Sequence, residues 1–261
     1  MTRFRRLEFE QQEQHEASLQ QAQGLQKEQL DETHWLRQAD QSRRHGQYEG
    51  ALKFYSRALE LNKSLVAGWL GQAQMLIALG EHPEAELWSR KALELFRNHP
   101  ELLSARAQAL CRIRDIKQAM ALCDAALQQE GSSAYRWMVR GELMLARKEL
   151  LECHCFDKAT QLDPDWLVML EIGDIYQYYG LLAKALIRLR QAVEKAPDQA
   201  HCWYRCGQCE MAMSLMRAAQ LSLTRCLELS PKHQEARQCL RKLQESKWTV
   251  LGLLRRLLRR S

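Results

Sequence analysis

The 261-residue sequence predicts an all-α fold: a right-handed α-solenoid of about six antiparallel helix pairs with a C-terminal capping helix. Three observations lead there. Ala, Leu, Gln, Glu, Lys and Arg dominate a chain with only 5 prolines and 12 glycines, so the local preference is helical and a turn-rich β fold is excluded. The sequence repeats itself every 34 residues: Trp35 returns as Trp69, Leu103 and Trp137, then, after a two-residue contraction, as Met169 and Trp203. Small residues hold fixed places in every unit: Ala39, Ala73, Ala107, Gly141, Gly173 and Gly207, then Ala51, Ala85, Ala119, Cys153, Ala185 and Ala219, then Ala58, Ala92, Ala126, Ala159, Ala192 and Cys226. Two helices approach closely only where the crossing side chains are small, and larger ones then fill the gaps.

The elements follow in chain order. Residues 1–31 form a polar N-terminal segment, helical by propensity or disordered, whose Leu7, Leu19, Ala22, Leu25 and Leu30 are too sparse for a firm heptad. Residues 32–231 hold six units starting near 32, 66, 100, 134, 166 and 200. Tyr55, Leu93, Leu122, Phe156, Leu189 and Leu223 are the expected large fillers of the second helices. Gly46, Gly80 and Gly180 fall between the two helices of a unit, where a left-handed cap favours glycine. The third unit uses Arg114-Asp115 there, and the short fourth unit, 133–165, predicts a packing irregularity. Pro164, Pro197 and Pro231 separate units because proline cannot continue a helix. Residues 232–246, with Leu240 and Leu243 inward, read as the cap, and 247–261 as a basic amphipathic tail.

This pattern resembles the tetratricopeptide repeat, a 34-residue helix-turn-helix, over roughly residues 32–231. The resemblance implies a superhelix whose first helices line a concave groove that binds protein partners. Some members grip a chaperone's C-terminal carboxylate with Lys, Arg and Asn. The corresponding places here hold Leu36, Asp40, Gly71, Glu101 and Ala105, so those cations are missing.

Charge bears on the class of partner. Arg241, Lys242, Lys247, Arg255, Arg256, Arg259 and Arg260 against Glu245 account for the whole net charge of +6, which leaves the first 240 residues formally neutral. The body therefore lacks the basic face that nucleic-acid binding needs. There is no Gly-rich phosphate loop, no Gly-x-Ser-x-Gly elbow and no His-Glu-x-x-His helix, so the expectation is no enzyme and no cofactor. His201, Cys202, Cys206, Cys209 and Cys153-His154-Cys155 raise a zinc reading, yet Cys202, Cys206 and Cys209 share one helix stripe and suit packing instead. Nine cysteines without a signal-length apolar run, and without a membrane-span-length one, read as reduced thiols of a cytosolic protein.

The leading expectation is an adaptor or co-chaperone-like scaffold that holds a peptide segment or helix of a partner in the groove. Its candidate residues are Leu36, Arg37, Asp40, Arg44, Leu70, Gln74, Ile77, Gln108, Arg112, Met138, Glu142, Leu170, Asp174, Tyr178, Tyr204, Arg205 and Gln208, a mixed apolar and polar strip suited to an extended or helical ligand. In the tail, Trp248 and Leu251 face one way and Arg255, Arg256, Arg259 and Arg260 the other. Such a helix can lie on an anionic membrane surface, dock on an acidic partner, or fold back as a further cap. The alternative function is therefore a peripheral membrane- or nucleic-acid-associated factor targeted by its tail.

Overall fold

A computed structural model describes residues 31–245. The tail residues Trp248, Leu251, Arg255, Arg256, Arg259 and Arg260 and the first 30 residues lie outside them. Among the described residues there are only helices. They fall into six pairs: α1 Glu32–Arg44 with α2 Tyr48–Leu61, α3 Val66–Leu79 with α4 His82–Leu95, α5 Pro100–Arg112 with α6 Ile116–Gln128, α7 Ala134–Ala146 with α8 Glu152–Leu162, α9 Trp166–Tyr178 with α10 Leu182–Lys195, and α11 Ala200–Ala212 with α12 Met216–Leu229. A further helix, α13, runs over 234–245, its Ala236 and Leu243 buried against Leu223 and Cys226 of α12. It covers the apolar face the last unit would otherwise expose.

The small-residue columns do the packing work. Seventeen of the eighteen small sites are buried. A Cβ on Gly141 would stand 2.6 Å from Phe156 Cε1, and on Gly173 or Gly207 it would stand 2.8 Å from the Leu189 or Leu223 side chain. These fillers lie on the second helix of the same unit, so each pair is locked at a separation set by a missing methyl group. In the second and third units the filling column is not Leu93 and Leu122, which are only half-buried; Ser89 and Cys123 occupy it, both fully buried. A smaller filler there faces an alanine, Ala73 or Ala107, instead of a glycine.

The exception among the small sites is Cys153, which is exposed. The shortened fourth unit, with α8 at 11 residues, turns its neighbour Glu152 inward instead, to 3% exposure. Lys184 on α10 donates to Glu152 Oε1 at 2.5 Å, while Oε2 has no partner. The irregularity that the sequence contraction predicts is thus a one-residue slip that substitutes a buried carboxylate for a small side chain.

Turn chemistry explains the remaining order. Gly46, Gly80 and Gly180 have φ of 73°, 86° and 74°. Arg114, Lys148 and Ser214 adopt φ of 73°, 60° and 60° at the equivalent turns, so the backbone geometry is common to all six units although half lack glycine. Tryptophans secure the junctions between units: Trp69 Nε1 donates to Lys63 O at 2.9 Å and Trp203 Nε1 to Pro197 O at 2.7 Å. No helix among the described residues is long and apolar enough to cross a membrane.

Candidate functional site

First helices curl around an interior channel. It is made of two connected cavities of about 350 and 400 Å³ that share Arg43, Gln74, Tyr135, Met138 and Glu171. One end adds Tyr48, Ile77, Gln108, Arg112, Asp174, Tyr178 and Arg205. The other adds Asp40, Arg44, Leu70, Glu101, Asp163 and Asp165. That second mouth carries five carboxylates, including the shared Glu171, against the guanidinium groups of Arg43 and Arg44.

Most of these charges are paired with one another. Arg43 Nε donates to Glu171 Oε1 at 3.1 Å, with a second, shorter bond from Nη2. Burial opposes the charge on Arg43, but the Glu171 carboxylate outweighs it and the guanidinium pKa rises. Arg205 Nε donates to Asp174 Oδ1 at 2.8 Å. Desolvation nonetheless raises the Asp174 carboxyl above its ordinary value, despite Arg205. Tyr135 donates to Gln108 Oε1 at 2.8 Å, and Arg112 lies 3.6 Å from the centroid of the Tyr178 ring. The channel therefore offers a polar, pre-ordered rim with apolar stretches at Leu70, Ile77 and Met138.

The groove residues expected from the sequence divide. Asp40, Arg44, Leu70, Gln74, Ile77, Gln108, Arg112, Met138, Asp174, Tyr178 and Arg205 line the channel. Leu36, Arg37, Glu142, Leu170, Tyr204 and Gln208 are not part of its lining. Leu170 is fully buried in the core shared by the last three units. Glu142, also fully buried, receives Gln108 Nε2 at 2.8 Å and the Arg112 guanidinium, and so braces the wall from behind. Arg37 is exposed and bonds its own helix at Thr33 O, 3.3 Å. Leu36 packs within the first pair, while Tyr204 packs toward α13 and its hydroxyl oxygen accepts from Gln208 Nε2 at 2.7 Å.

Sequence reasoning missed Arg43, Tyr48, Tyr135 and Glu171. The signal was one position away. The column Leu36, Leu70, Met138, Leu170, Tyr204 points inward in the second and fourth units, but in the fifth and sixth the next residues, Glu171 and Arg205, replace it. Superhelical rotation of each unit moves the inward face around the helix, which a fixed 34-residue column does not capture.

The three cysteines of α11 are apolar filling. Cys202, Cys206 and Cys209 are buried, and burial pushes the Cys202 and Cys206 thiols up to about 12. Among the described residues no group of three or more His, Cys, Asp or Glu is placed to hold a metal ion.

Residues 36–100 match the model of the tetratricopeptide repeat. Protein O-mannosyl-transferase TMTC1 of Homo sapiens is 28% identical over 211 residues, which cover 76% of this chain and 23% of that protein. The chain thus spans about a quarter of that relative's length. A tetratricopeptide repeat protein from Parabacteroides merdae shares the fold with a TM-score of 0.50 at 19% identity, over 82% of this chain and 84% of that one. The protein TTC0263 of Thermus thermophilus gives 0.48 at 18% identity, over 81% and 98%. Residues 36–100 are thus similar in sequence to the tetratricopeptide repeat, and the six helix pairs, locked by small residues at a 34-residue spacing, have the fold of such arrays.

Proposed function

We propose that the chain is a protein-interaction scaffold, an adaptor that holds an extended segment of a partner protein in the interior channel. The carrying observation is the lining of that channel, where apolar Leu70, Ile77 and Met138 stand among the half-buried polar groups Gln74 and Tyr135 and the buried Gln108. An extended peptide needs both: pockets for its side chains and partners for its backbone amides. The reading is non-catalytic, because the channel's ionisable groups bind each other in the pairs Arg43–Glu171, Arg44–Asp165 and Arg205–Asp174. Similarity to a quarter of a mannosyl-transferase does not alter it.

A displayed library of random peptides, selected on the full chain, supplies the test. Gln74 lines both cavities and is half-buried, so Gln74→Trp fills the channel without deleting a core contact. Selected peptides should lose about tenfold or more in affinity for this variant, the scale of a blocked anchor pocket. Unchanged affinity in a variant that melts like the parent would move the binding surface elsewhere.

A further inference from the structure

The first unit does not only begin the array; it touches the far end. Arg44 Nη2 donates to Asp165 Oδ2 at 2.7 Å and Nη1 to Oδ1 at 3.3 Å, and its guanidinium lies 5.5 Å from the centroid of the Trp166 ring. The adjacent Arg43 pairs with Glu171 on α9. Tyr48, at the start of α2, stands 3.1 Å from His201 Nε2 on α11, its ring edge-on to the imidazole at 5.8 Å. Between them Gly46 has no side chain, and any Cβ there would overlap the His201 ring. From the second unit, His82 meets Tyr178 edge-on at 6.1 Å. The first unit's hydrogen bonds in this set join residues 121 to 153 positions apart, whereas a solenoid unit ordinarily touches only its neighbours.

We propose that this set of contacts is a latch that closes the superhelix on itself, with the first unit as the lid of the channel and a partner segment admitted when the lid swings away. Three features support a latch over incidental contact. It is chemically mixed, so no single loss of charge or hydrogen bond explains all of it. Its ion pairs are half-buried, with Arg43 and Glu171 side chains 18% and 25% exposed, so water competes less than at an open surface. The first unit also keeps its own apolar seam with the second, through Tyr55, Leu59, Trp69 and Met75, so it stays attached to the array when the latch contacts to α9 and α11 are lost. The consequence for binding rests on the channel reading, but closure itself does not.

Closure is tested by solution X-ray scattering on the full chain. Asp165 also caps α9, accepting from Leu167 N at 2.9 Å, and asparagine caps a helix as well as aspartate does. The variant carrying Asp165→Asn, Glu171→Gln and Tyr48→Phe therefore removes both latch carboxylate charges and the phenol hydroxyl while keeping the cap of α9. Its radius of gyration should rise by roughly a tenth or more, as expected when a closed solenoid unwinds. A second series separates opening from misfolding: Glu171→Arg alone should expand the chain, and adding Arg43→Glu should return it to the parental dimension by restoring the pair with its charges exchanged. A parental radius in the triple variant, or no return in the exchanged pair, overturns the latch. If the chain opens and the affinity of channel-binding peptides does not rise, the latch stands and the channel reading falls.

Discussion

The same substitution, glycine to alanine, should have opposite signs at two helical positions. At Gly141 an added Cβ would lie 2.6, 2.8 and 3.0 Å from Cε1, Cδ1 and Cζ of Phe156. That ring has no room to retreat: it is fully buried and meets Tyr176 edge-on at 5.0 Å. Overpacking of this kind costs about 1–3 kcal/mol, and a rigid aromatic neighbour puts Gly141→Ala near about 3 kcal/mol of that range. Alanine's better helix propensity returns about 1 kcal/mol, so the net loss is about 2 kcal/mol, or about 4–8 °C in Tm for a domain of this size. At Gly50, also helical, the new methyl would meet only Gln47 Cβ at 3.9 Å. Nothing opposes the propensity term, and Gly50→Ala should gain about 0.5–1 kcal/mol, reduced because it lies in the first turn. Urea unfolding followed by far-ultraviolet circular dichroism reads both. Equal shifts, or a stabilised Gly141→Ala, would refute the claim that absent methyl groups set the helix spacing.

Three further outcomes follow from buried polar groups. His201 is held neutral, its pKa pushed down to about 3 by burial first and then by Arg205, His233 and His45, with the rings of Tyr48 and Tyr204 packed on it. Because the folded value lies below the unfolded one of about 6.5, protonation favours unfolding. Stability is full above pH 6.5 and falls toward pH 3, losing about 2 kcal/mol by pH 5; His201→Gln should flatten the urea midpoint between pH 7.5 and 5. Glu142→Leu strands the Arg112 guanidinium, whose side chain is 8% exposed, and should cost about 3–5 kcal/mol; adding Arg112→Met should recover most of it, as measured by thermal melting. Of nine thiols, Cys153 alone is exposed, Cys239 is half-buried and seven are buried, so a disulfide reagent at pH 8 should show one fast phase that Cys153→Ser abolishes.

Much of the architecture was legible because it depends on volume and period, which a sequence states directly. Alanine at 51, 85, 119, 185 and 219 can be read as a crossing without coordinates. The left-handed turns were legible where glycine marks them, and the third unit's Arg114 was found by position alone. What escaped depends on rotation. Glu152 replaced Cys153 as the inward residue because one deleted position turns a helix by about 100°. Arg43 and Glu171 were missed for a related reason: each lies one residue past a predicted groove position or beside one, and the accumulated twist of four units brings them together. Contacts between units 1 and 6, such as Tyr48 with His201, carry no local pattern at all. They arise from curvature summed along the array.

The central claim is that first helices enclose the surface that receives a partner, and site-specific photo-crosslinking tests it most directly. A photoreactive residue placed at position 74, on the channel wall, is compared with one at position 221, where Leu221 is 73% exposed on a second helix. Peptides selected for binding should crosslink at 74 and not at 221. Crosslinking at 221 alone would show that the outer face binds them and that the channel is only a by-product of how the units pack.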